Sequence, residues 1–257
     1  MIASLHIHAA LRGEITYLKK SYFSPPFKLA DITENRQEKW LHLTQMSSSP
    51  GILDGDHFDI KIELEEKCHL ELHTQSYQRL FSMKKGASQQ MEVFLEKGAS
   101  FVYLPHPGVP QENSIFTTRN KIHLSENCEL IWGEIITCGR KLNGEIFKFS
   151  KYHAVTEVFI DNQLKIKENI CLIPNETELG AIGMLEGFTH QASLIFLKND
   201  IASNTLTEKI STYLSTQTDL LFGVTQAPVS GLLVRILGNK SEQLMDALKT
   251  ITKIFKD

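Results

Sequence analysis

From about residue 40 to 170, apolar and polar side chains alternate with period two, the pattern of strands with one buried face. Phe58, Ile60, Ile62 and Leu64 alternate with polar neighbours; so do Cys68, Leu70, Leu72 and Thr74, and then Met91, Val93 and Leu95. The stretches 131–137, 154–160 and 164–170 continue the pattern, and tight-turn sequences punctuate it: Glu65-Glu66-Lys67, Lys97-Gly98, Glu126-Asn127 and Asp161-Asn162. Aligning the turns exposes a weak repeat: LEEKCHLEL from Leu64, LEKGASFVYL from Leu95 and LSENCELIW from Leu124, with start points 31 and 29 residues apart. Each unit reads strand, polar turn, small residue (Cys68, Ala99 or Cys128), strand. Such spacing predicts hairpin-like units stacked so that each buries a face its neighbour completes, although an ordinary antiparallel sheet yields similar patterns.

After residue 200 the period lengthens. Thr205-Leu-Thr-Glu208 has the form of a capping box, followed by Leu206, Ile210, Tyr213 and Leu214 at helical spacing. Beyond a strand in VSGLLVRIL, Asn239 and Glu242 offer a second cap, and Leu244, Ala247, Leu248, Ile251, Ile254 and Phe255 line one face of a final helix. No low-complexity linker intervenes. The expectation is a single domain over 1–257, with a strand-rich body (1–200) and a C-terminal part (201–257) containing two amphipathic helices.

Composition narrows the classes. The 257 residues are 42% hydrophobic and 22% charged, as in an ordinary soluble globular chain. Lys and Arg total 27 against 30 Asp and Glu, a net charge of -3, and the charges are scattered, which argues against a nucleic-acid partner. The N-terminal segment lacks the cationic start of a secretory signal, and no apolar run approaches the roughly 18 residues of a spanning helix, so no membrane role is expected. The four cysteines, Cys68, Cys128, Cys138 and Cys171, form no CxxC and are expected to be free, mostly buried thiols in a reducing cytoplasm.

Standard catalytic motifs are absent: there is no GxxxxGK[ST], GxSxG, HExxH or GxGxxG, and Gly238-Asn-Lys-Ser241 reads as a strand-to-helix turn. His69, Glu71 and His73 share one side of a strand, but the outer two lie about 13 Å apart at ~3.3 Å per residue. One ion cannot bridge them, so His69 and His73 are weak metal candidates. Asp54 and Asp56 lie in the turn 50–56, while Glu134, Glu145 and Glu168 are carboxylates in or beside strands that otherwise read as apolar, with Arg140 and Arg79 as natural partners. They suit a catalytic cleft, a water-filled path or a structural ion-pair network.

Several segments in order resemble the urease accessory protein UreD family, named UreH in some bacteria: Tyr22-Phe-Ser-Pro-Pro-Phe-Lys28, Ser49-Pro-Gly-Ile-Leu-Asp-Gly-Asp56, Thr74-Gln-Ser-Tyr-Gln-Arg79, Leu104-Pro-His-Pro107, Trp132-Gly-Glu134, Gly139-Arg140 with Gly144-Glu145-Ile-Phe147, and Val234-Arg-Ile-Leu237. The chain departs from the family pattern at Ile52 and Asp54, at Leu80-Phe81 after Arg79, and at His106 where Gln is usual. The resemblance implies a mainly β fold, a stacked-hairpin, β-helix-like, two-layered body with a helical C-terminal part. It implies a non-enzymatic chaperone that docks on apo-urease and recruits UreF and, through it, the GTPase UreG. No tightly bound cofactor is implied; nickel would be in transit through a polar passage lined by Asp56, Glu134, Arg140, Glu145 and Glu168. No tight nickel site shared by His69 and His73 is expected. The C-terminal region contributes to the UreF contact in the family, so part of the stripe Leu244, Leu248, Ile251 and Phe255 is expected to be exposed, the alternative being that it docks wholly on the chain's own sheet. The alternative is a carbohydrate-active enzyme on a β-solenoid, pairing Asp56 with Glu134 or Glu145.

Overall fold

The computed structural model describes residues 1–199 and 203–256. In chain order its strands are β1 (Ile2–Arg12), β2 (Ile15–Phe23), β3 (Phe27–Asp31), β4 (Trp40–Ser47), β5 (His57–Leu64), β6 (His69–Thr74), β7 (Gln78–Leu80), β8 (Ala87–Leu95), β9 (Ser100–Leu104), β10 (Gly108–Pro110), β11 (Ile115–Leu124) and β12 (Glu129–Thr137). There follow β13 (Lys151–Ile160), β14 (Gln163–Leu172), β15 (His190–Leu197), α1 (Ser203–Ser215), β16 (Leu221–Gln226), β17 (Gly231–Gly238) and α2 (Ser241–Lys256).

The strands build two open sheets. The first runs β14-β13-β11-β8-β5-β1-β2; the second runs β16-β17-β15-β12-β9-β6-β4-β3, with the short β7 and β10 attached. In the first sheet β5, β8, β11 and β13 are parallel, and in the second so are β4, β6, β9 and β12. The turns at 65–67, 97–98 and 126–127 therefore do not close hairpins. Each carries the chain from the first sheet into the second, and the 31- and 29-residue repeat is one circuit of a two-sheet coil. The turns stack as the strands do: Lys67 N–H donates to Lys97 O (3.0 Å) and Gly98 N–H to Glu126 O (2.9 Å). Lys67, Gly98 and Asn127 hold the same left-handed position, with φ of 58°, 71° and 57°, and the small residue that follows each is buried at the inner corner. By contrast, Asp161-Asn162 closes a two-residue antiparallel hairpin from β13 to β14, with positive φ at both residues. The mainly β, β-helix-like, two-layered expectation holds, but the two strands of each repeat belong to different sheets.

Buried alternation begins well before residue 40. Ala3, Leu5, Ile7 and Ala9 of β1 face the core between the sheets, and β1 pairs in parallel with β5 in the first sheet. His6 and His8, which interrupt the apolar run, are the outward positions of that strand.

A second core forms on the outer face of the second sheet. Val102, Leu104, Ile131, Ala192, Leu194 and Val234 meet α1 and α2 there. Leu244, Leu248, Ile251 and Phe255 are 0%, 1%, 0% and 5% exposed, and the rings of Phe255 and Phe196 stack at 3.9 Å. The expected partly exposed stripe is thus covered by the chain's own sheet, because that sheet is apolar on both faces and α2 is the element long enough to cover it. Each such side chain contributes about 1.5–3 kcal/mol on burial. Gly133 permits the close approach: a Cβ there would lie 2.5 Å from Leu104 Cδ2 and 3.2 Å from Leu248 Cδ1. The cap expectations change too. Helix α1 already includes Ser203 and Asn204, so Thr205 does not precede it, and Asn239 Oδ1 accepts from Thr189 Oγ1 (3.0 Å) rather than capping α2.

Candidate functional site: a polar seam between the sheets

Inward-facing positions between two packed sheets should be apolar, yet one level of this sandwich is polar. In the first sheet, Asn120 stands opposite Thr156, and Thr156 opposite Glu168. In the second, Glu134 stands opposite Ser193, and Ser193 opposite Arg235. The rows meet across the gap at Glu134. Its Oε1 accepts from Asn120 Nδ2 (2.8 Å), Trp132 Nε1 (3.0 Å) and Thr156 Oγ1 (3.1 Å). At the outer end, Arg235 Nη2 donates to Glu168 Oε2 (2.6 Å). The seam therefore leads from an enclosed carboxylate to a partly exposed ion pair.

A cavity of about 130 Å³ reaches Glu134 from the other side. It begins at the exposed Gln75 and Ser76 and runs inward past Gln78 and Gln89, which hydrogen-bond at 3.2 Å, to Thr118, Asn120, Tyr103 and Tyr152. It is polar and roomy enough for several waters. Segments far apart in the chain converge on it: Ser49-Pro-Gly-Ile52, Thr74 to Gln78, Pro105-His106 and Trp132 with Glu134. Gly51 is needed at this rim, since a Cβ there would lie 2.4 Å from Arg79 O.

Burial raises the pKa of Glu134; hydrogen bonds from Trp132 and Thr156 oppose the shift, and the nearby Glu168 charge adds to it. Glu134 lies between the sheets but keeps accessible surface because it lines the cavity. With three donors on Oε1, Oε2 is the oxygen left to face that space. The phenols of Tyr103 and Tyr152 are pushed up by burial and by the Glu134 charge.

Two of the five carboxylates and arginines expected along a passage, Glu134 and Glu168, lie on the seam. Asp56, Arg140 and Glu145 do not. The buried Asp56 closes the turn before β5, its Oδ1 3.0 Å from the Met1 ammonium and its Oδ2 accepting from Leu53 N–H (2.8 Å). Arg140 pairs with Glu145 across the turn after β12, where the guanidinium holds that carboxyl below its usual range. Asp56, Glu134 and Glu145 thus sit in three separate hydrogen-bond sets, not in the shared open groove that a paired-carboxylate hydrolase needs. His69 and His73 are also apart: the His69 ring packs on Trp40 (5.2 Å between centroids), whereas His73 lies beside Glu71. Asn120, Thr156, Ser193 and Arg235 were missed in the sequence, since a neutral or basic residue in an alternating strand reads as an outward one. Three of the four cysteines are buried, and Cys171 is exposed.

Comparison with known proteins places these features in a family. The family described as UreD urease accessory protein matches residues 1–257. A protein of Flavobacterium johnsoniae named urease accessory protein UreD is 44% identical over 254 residues, covering 98% of this chain and 92% of that one. Proteins of the same name from Acetivibrio thermocellus and Actinobacillus pleuropneumoniae serotype 5b are 37% and 34% identical, covering 97% and 94% of this chain and 95% and 92% of their own lengths. Among the described residues, no helix is long and apolar enough to cross a membrane.

Proposed function

We propose, from the premise that this chain belongs to the UreD urease accessory protein family, that it serves urease maturation as a non-catalytic chaperone in the cytoplasm. In this reading it docks on apo-urease, recruits UreF and through it the GTPase UreG, and carries nickel in transit along the polar seam. The observation that carries this reading is that the cavity, Glu134 and, at neighbouring strand positions, the Glu168–Arg235 pair all lie on one polar level between the sheets.

The chemistry of transit favours this arrangement over a closed site. A transferred cation needs oxygen contacts that replace part of its hydration without holding it. Glu134 offers one carboxylate oxygen to the cavity, with hydroxyls and amides around it. Burial penalises an uncompensated charge on Glu134, so in this reading its carboxyl group is balanced either by a proton or by the passing dication. Neither state leaves an isolated charge between the sheets. At the other end, parting Glu168 from Arg235 would open a second mouth. In this reading the UreF contact uses exposed residues of α2 such as Asp246, Lys249 and Lys253 rather than the stripe packed on the sheet.

The test is co-expression with apo-urease, UreF and UreG. Glu134→Gln and Glu168→Ala are each expected to lower urease activation severalfold while the chain still captures UreF. Unchanged activation with both variants would remove the passage and leave the scaffold; loss of UreF capture by wild-type protein would remove the scaffold.

A further inference from the structure

The helix-side face of the second sheet carries a second polar group, beyond the end of α2, that the seam does not use. His42 of β4 stands directly opposite Glu71 of β6 in parallel register, and His73 follows two residues later on the same face. His42 Nδ1 is 3.7 Å from Glu71 Oε2, and His73 Nε2 is 3.3 Å from Glu71 Oε1. One donor atom from each residue lies within 4.8 Å of the other two. A tetrahedral ion with bonds near 2.1 Å needs donors about 3.4 Å apart, so small side-chain rotations close the set.

We infer that His42, Glu71 and His73 form a binding site for a borderline divalent cation of the zinc, nickel and copper class, with a fourth position open to water. Two features beyond the cluster itself support this. Glu38 Oε1 lies 2.9 Å from His42 Nε2, which favours the proton on Nε2 and turns the Nδ1 lone pair toward Glu71. That is the carboxylate–histidine support common behind metal-bound imidazoles. The carboxylate is also already held by a cation: Lys256 Nζ donates to Glu71 Oε2 (2.7 Å) while lying 4.7 Å from the Trp40 ring centroid. An incoming ion would take over Oε2, and the ammonium would keep its place over Trp40. Two imidazoles and one carboxylate select against magnesium and calcium, which prefer all-oxygen shells. Side-chain exposures of 26%, 14% and 34% for His42, Glu71 and His73 leave the site reachable from solvent.

The inference is independent of the passage, which runs between the sheets. It is tested by titrating the full chain calorimetrically with zinc(II), and by following cobalt(II) through its tetrahedral absorption bands. One ion per chain is expected. His42→Ala, His73→Ala and His73→Gln should each weaken it by about tenfold or more, the cost seen when even a supporting partner of a ligand is lost. His153→Ala, on the first sheet, should bind as wild type does, and Lys256→Gln should bind more tightly because the competing ammonium is gone. Melting without metal confirms that each variant is folded. Absence of binding by the folded wild-type chain, or affinity that survives loss of His42 and of His73, would overturn the site.

Discussion

At Glu134, burial and hydrogen bonding pull the carboxyl group in opposite directions. Its pKa in the fold lies above the value near 4.5 of an exposed glutamate, so between those two values the folded chain holds a proton that the unfolded chain has released. Stability contributed by this residue is therefore complete below the lower value and is lost as pH rises through the higher one. A tenfold change in proton affinity between the two states corresponds to ~1.4 kcal/mol. Glu134→Gln keeps an acceptor for Asn120, Trp132 and Thr156 but cannot ionise. Its melting temperature should exceed that of wild type at neutral pH, and the gap should close below pH ~4, under the ordinary glutamate value. A gap independent of pH would mean that the carboxyl does not titrate as its burial requires. On the proposed passage, the same variant should also activate urease less well.

The turns of the coil show how local conformation and long-range pairing reinforce one another. Each places one residue in the left-handed region, where an L side chain costs roughly 1–2 kcal/mol and glycine costs little. Gly98 meets that demand outright and Asn127 in part, since asparagine tolerates this region better than other side chains, whereas Lys67 does not. Lys67→Gly should therefore raise stability in urea denaturation by up to about 1 kcal/mol, reduced by the extra freedom glycine adds to the unfolded chain. A loss instead would mean that the Lys67 stem, which passes the Gly98 turn, contributes more than the strain it carries. That repeat was legible in the residues because period-two alternation and turn chemistry are local properties. Which sheet each strand joins was not, since strand–turn–strand reads alike whether the turn closes a hairpin or crosses between layers.

As a whole, the molecule has three layers: first sheet, second sheet, and the pair of helices. The middle layer is apolar on both faces, which is why the α2 stripe is buried rather than offered to a partner. Leu248→Ala should cost about 2–5 kcal/mol, read as a lower denaturation midpoint, and a near-neutral result would show that α2 is loosely held. The polar seam lies where the parallel coil gives way to the antiparallel strands β14, β15 and β17. Those returning strands supply Glu168, Ser193 and Arg235, and so complete a hydrophilic path that the coil begins with Asn120, Glu134 and Thr156.

Strand periodicity, turn spacing, the terminal helices and the carboxylates out of place in apolar strands all follow from the order of residues, because each is written within a few neighbouring positions. The segments that resemble the UreD family could be read there as well, but not the convergence of most of them on one cavity. Tertiary structure alone decided that Glu134 meets Asn120 and Thr156 while Asp56, Arg140 and Glu145 close loops elsewhere, and that His73 shares Glu71 with His42 while His69 packs on Trp40. The reason is geometric: these contacts depend on register between strands distant along the chain, and a single step of register would turn each side chain to the opposite face.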